Sequence, residues 1–167
     1  MTERKTAAKH PASTQEGACE IPGILLERMG FLLSRLFFNL REDLEKVLKP
    51  HGLTGKHWGI LLVLQERGSL AQQEIGKCIH IDRSTMVQII DDLERKGLVE
   101  RKAHPTDRRA HSIYLTGKGR ELLPRIHRLG LKTEKDFLSP LPASDQRELH
   151  RMLRRLVSCR FSSGKHQ

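Results

Sequence analysis

Between Gly68 and Leu115 start and stop signals follow one another so closely that only short elements fit, in one order. Ser69 with Gln72 forms a capping-box pattern that predicts a short helix from Leu70 to about Lys77. His80 and Ile81 predict a tight turn, and Asp82 caps a second helix reaching about Lys96. Met86, Ile89, Ile90 and Leu93 fall on its buried side, and Arg83, Ser84, Thr85, Gln88 and Asp91 on the other. Gly97 ends it. Leu98–Ala103 and Ala110–Leu115 then read as two strands joined across the turn-rich segment His104–Arg109, a hairpin with a long tip.

Long helical patterns flank this piece. From Ile24 to Leu48 apolar residues recur at helical spacing from Leu25 through Leu36 to Leu48. A second row, Ile24, Phe31 and Phe38, steps by seven on another face. The two rows fit one broad buried face or a second face covered by a partner subunit. Pro50 and Gly52 stop this helix. Thr54 caps the next, which carries Trp58 and the run Ile60–Leu64, apolar on nearly all sides and so expected to be central. Thr116 caps a long helix to about Phe137, with Pro124 expected to kink it. A last helix spans about Ser144 to Cys159, with Leu149, Met152, Leu153 and Leu156 on one side and arginines on the other.

These elements predict a mainly α fold with a small β-hairpin wing. The organisation is a disordered tail over 1–22, one domain over 23–160 and a flexible tail over 161–167. Within the domain, long helices over 24–48 and 117–159 flank a compact lobe over 53–116.

Charge selects the partner. Thirty Lys and Arg stand against twenty Asp and Glu, a formal net charge of +10, which favours an anionic partner. The first twenty residues cancel, so the excess belongs to the folded part. From Arg95 to Arg109 the net charge is plus four. A short helix, tight turn and second helix place the second helix in a DNA major groove. Ser84 and Thr85 suit a base edge or phosphate, and Gln88 suits adenine. Arginine at a hairpin tip suits the minor groove. Arg83 lies on the same face, while Arg101 and Lys102 are expected on phosphate or on nothing. A basic last helix on a membrane is the rival charge reading; its apolar stripe fits a dimer interface better.

The run Asp91-Asp92-Leu93-Glu94-Arg95-Lys96-Gly97-Leu98-Val99-Glu100-Arg101, the turn Asp107-Arg108-Arg109-Ala110 and the run Tyr114-Leu115-Thr116-Gly117-Lys118-Gly119 resemble the signature of the MarR family. Leu53-Thr54, Trp58 and Ile81-Asp82-Arg83-Ser84-Thr85 also match its pattern, and the resemblance covers roughly residues 24–159. It implies a winged helix-turn-helix with long N- and C-terminal dimerisation helices, 24–48 and 117–159, around a DNA-binding lobe, 53–116, in a homodimer on double-stranded, pseudo-palindromic operator DNA. It further implies that Arg109 enters the minor groove, that Asp107 anchors it and that Arg108 contacts phosphate. Such proteins commonly repress operons and release DNA on binding small phenolic or lipophilic compounds. The resemblance places that effector among Phe31, Arg35, Phe38, His57 and Trp58, although each aromatic also fits a plain core role.

Other functions have less support. No nucleophile–base pair arises from the sequence, so no enzyme is expected. Nine histidines show no metal-ligand spacing, and no metal or cofactor is expected. The peroxide-sensing branch of the family places its reactive cysteine inside the first helix with tyrosines beside it. Here Cys19 precedes the helix and the one tyrosine is Tyr114, so an inert tail thiol is the better reading. Cys78 reads as a small core residue, and Cys159 is open. An odd cysteine count, no apolar span and no signal core predict a cytoplasmic protein without membrane contact. A redox-sensing regulator, or an architectural protein of the same fold that binds nucleic acid without sequence preference, are the alternatives.

Overall fold

The structure is a computed structural model that describes residues 20–103 and 111–162. Cys19 and the Asp107-Arg108-Arg109 turn lie outside the described residues, as do most of the two expected tails. The chain divides into two units, 1–36 and 37–167.

The first unit holds helix α1 (Gly23–Leu26) and the start of α2 (Met29–Leu48). One unbroken helix was expected from Ile24 to Leu48. Instead the Leu25 carbonyl accepts from the Arg28 N–H at 3.0 Å, which closes α1, and the Arg28 carbonyl accepts from Leu32 to start α2. No proline or glycine marks that break. In this unit Ile24, Leu26, Met29 and Leu33 are exposed, whereas Phe31 is half-buried.

In the second unit α2 closes in a 3-10 turn (Lys49–His51) and Gly52 at φ 68°. Helix α3 (Gly55–Arg67) follows, then strand β1 (Leu70–Ala71), α4 (Gln72–Ile79), α5 (Arg83–Arg95), β2 (Val99–Ala103), β3 (His111–Leu115), α6 (Gly117–Phe137) and α7 (Ala143–Ser162). The strands form an antiparallel sheet in the order β1-β3-β2, with Leu70 opposite Ile113 on one side of β3 and Arg101 opposite it on the other.

Strand β1 corrects the sequence reading. Leu70 and Ala71 were assigned to a helix capped by Ser69, but they pair with Ile113 and Ser112, and the helix starts at Gln72. The Ala71 N–H donates to the Glu74 carboxylate at 2.9 Å. The free edge of β3 thus outweighs a weak local cap.

The other caps stand where the sequence put them. Thr54 Oγ1 accepts from the His57 N–H at 3.4 Å, Asp82 Oδ1 from the Thr85 N–H at 2.9 Å, and Thr116 Oγ1 from the Gly119 N–H at 3.0 Å. Helix α6 continues through Pro124. Helix α3 is central: Ile60, Leu61 and Leu64 are fully buried, in one core with Leu48, Ile75, Ile90, Leu93, Ile113 and Ile126. Trp58 joins this core against Gly130 of α6, where an added Cβ would lie 2.4 Å from the indole.

A winged helix-turn-helix interface

Helix α4, the turn at His80-Ile81 and helix α5 make the helix-turn-helix. His80 ends α4 in the left-handed region, at φ 51°, which turns the chain within two residues. Asp82 then starts α5. Its carboxylate accepts from Ser84 Oγ at 2.6 Å and from the Thr85 N–H. Those bonds, the hydroxyl first, hold the Asp82 carboxyl well below the usual carboxylate range, so the cap stays ionised.

Helix α5 buries Met86, Ile90 and Leu93. Arg83, Ser84 and Gln88 are exposed, and Thr85 is half-buried beside the cap. Val87 is 40% exposed on this polar side and was missed by the sequence reading. Its signal was its place outside the Met86–Ile90–Leu93 stripe; apolar contact with a thymine methyl is the chemistry it offers. An open groove of about 1080 Å³ lies beside this helix, lined by Gln72, Lys77, Ile81, Arg83, Val87 and His111 among others.

On the sheet, Lys102 is exposed, 2.7 Å from Glu100 and 5.2 Å from the Tyr114 ring centre. Arg101, expected on phosphate or on nothing, faces the helix. Its guanidinium is engaged with Asp91 and Glu94 of α5.

The expected effector residues of the second unit differ in burial. Phe38 is exposed, while Trp58 and His57 are buried. In the first unit Arg35 is exposed. His57, expected among the effector residues, completes the α3 cap. Its Nδ1 accepts from the Thr54 N–H at 3.0 Å, and its Nε2 lies 3.2 Å from Asp92 Oδ2. Cys78, expected in the core, is exposed. Among the described residues no three His, Cys, Asp or Glu side chains gather as metal ligands, and no helix is long and apolar enough to cross a membrane.

His57 gives the fold a pH dependence. Burial pushes its imidazole below the ordinary value of 6.5, against the opposing pull of Asp92. The folded state therefore binds fewer protons than the unfolded one. The stability this represents is complete above the unfolded value and is lost as pH falls through it towards the folded value. The melting temperature is expected to drop between about pH 7 and pH 5, and to drop less in His57→Gln, whose amide oxygen can still accept from Thr54. Identical pH slopes in the two proteins would refute this.

A helix-turn-helix whose second helix presents a polar face, followed by a strand pair packed on that helix, defines a winged-helix DNA-binding protein. A profile of the MarR family matches residues 51–110. The transcriptional regulator PecS of Dickeya dadantii is 30% identical over 127 residues, 74% of this chain and 76% of that one. A regulatory protein assigned to the hcr operon of Thauera aromatica is 29% identical over 137 residues, 81% of this chain and 82% of that one. The crystal structure of a MarR-family transcriptional regulator from Rhodococcus sp. RHA1 superposes with a TM-score of 0.74 at 26% identity, covering 79% of this chain and 94% of that one. The chain belongs to the MarR family of DNA-binding transcriptional regulators.

Proposed function

We propose that this chain is a cytoplasmic, ligand-released repressor acting as a homodimer on a pseudo-palindromic operator, and not an enzyme. The observation that carries the DNA reading is the exposed face of α5. Arg83, Ser84, Val87 and Gln88 stand free of the core at the end of the helix where backbone amides favour phosphate. In this reading these residues and Thr85 enter the major groove, Lys102 and Arg108 contact phosphate, and Arg109, anchored by Asp107, reads the minor groove.

Dimerisation is supported by apolar side chains that a single chain leaves uncovered. In the first unit these are Met29, Leu33 and Leu36. In the second, Met152, Leu153, Leu156 and Val157 form one stripe on α7, the last two 60% and 55% exposed. The segments 24–48 and 117–159 are the proposed dimerisation helices. The effector, a small aromatic or lipophilic compound, rests on the family alone.

The test is to capture genomic fragments on the purified protein, sequence them and footprint the enriched site. Two protected half-sites about 34 Å apart, one helical turn, are expected, and the complex should survive excess random DNA. Complexes that dissolve under random competitor would instead mark an architectural protein, and a monomer by light scattering would remove the dimer.

A further inference from the structure

Arg101 sits in the middle of β2, opposite Ile113. Side chains alternate along a strand, so Glu100 and Lys102 share one face and Arg101 turns to the other. There it meets α5. One guanidinium nitrogen binds Asp91 Oδ1, a second binds Glu94 Oε2, and the remaining Glu94 oxygen accepts the Arg101 backbone N–H at 3.1 Å. Asp91 and Glu94 are three residues apart, so neighbouring turns of the helix present both carboxylates to one planar fork.

Asp91 also continues the stripe of Ser84 and Gln88 at helical spacing. A carboxylate there repels phosphate unless something neutralises it. The Arg101 side chain is only 23% exposed, against 52% for Asp91. Moving its guanidinium to a phosphate would leave two acidic groups unpaired beside DNA.

We propose that Arg101 is a positioning residue: through Asp91 and Glu94 it locks strand β2 to the DNA-reading helix and sets DNA affinity without touching DNA. The inference rests on the DNA reading of α5 given above. It makes Asp91 and Glu94 necessary for binding a polyanion, the reverse of their bare charge.

That reversal is the test. The full-length protein is titrated by fluorescence anisotropy with a 30-base-pair duplex selected by the wild type from a random pool, and with the unselected pool. Removing two negative charges in an Asp91→Asn, Glu94→Gln double variant would tighten binding to both if only charge mattered. The lock predicts weaker binding, by roughly tenfold, in line with pairs that couple through one network. Equal or tighter binding overturns the proposal. Arg101→Lys covers the case in which the double variant is unfolded at the assay temperature. Lysine keeps the charge but cannot span two carboxylates, so weaker binding with an unchanged salt slope is expected. Retained affinity overturns it. If no duplex is enriched over the pool, sequence-specific reading fails while the pool titration still tests the lock.

Discussion

Replacing Gly119 by alanine is expected to destabilise the fold by about 3 kcal/mol, at the upper end for overpacking. Gly119 lies in the first turn of α6, and helix propensity alone favours alanine there by about 1 kcal/mol. The surroundings reverse the sign. An added Cβ would stand 2.2 Å from the Leu98 carbonyl oxygen and 3.2 Å from Leu115 Cδ2. That carbonyl cannot move freely, because it accepts the Thr116 N–H at 3.1 Å at the start of the same helix. The neighbouring hydroxyl is also committed: Thr116 Oγ1 donates to the Gly97 carbonyl at 2.6 Å while capping α6. The N-terminus of α6 therefore rests directly on the base of the hairpin. Urea denaturation reads the result, and a variant as stable as the wild type would show that the close approach is not required.

Arg109→Ala is expected to weaken operator binding by about 1–3 kcal/mol, roughly 5- to 150-fold, while the melting temperature stays unchanged. The expectation rests on the Asp107-Arg108-Arg109 turn of the family signature, which lies outside the described residues, and on the attraction of a narrow minor groove for guanidinium. An arginine reading a groove loses specificity at its own base pairs. One resting on phosphate weakens all sequences alike. Titration against the footprinted site and a version altered only at its minor-groove positions separates the two. Unchanged affinity in a folded variant would remove Arg109 from the interface.

The two variants probe different kinds of information. Much of the lobe is legible in sequence because its signals act within four residues. Thr54, Asp82 and Thr116 each cap the helix they precede, and Gly52, Gly68 and Gly97 each take a positive φ at a boundary. The Met86–Ile90–Leu93 stripe marks the buried side of α5, and so its polar side, by periodicity alone. Family signature and helix order then specified the function class.

What sequence left undecided depends on groups far apart in the chain. Leu70 and Ala71 are a strand only because the edge of β3, more than forty residues later, offers hydrogen bonds that a local cap does not match. His57 reads in sequence as an effector residue, but its Nδ1 is taken up by Thr54 and its Nε2 is buried 3.2 Å from Asp92. Arg101 looked like one more cation on a basic hairpin. Its partners sit ten and seven residues earlier, on the helix that β2 packs against, and no local pattern pairs them. Caps, turns and helical periodicity are written into neighbouring residues. The partner of a charge and the room beside a glycine are settled only when separate elements meet.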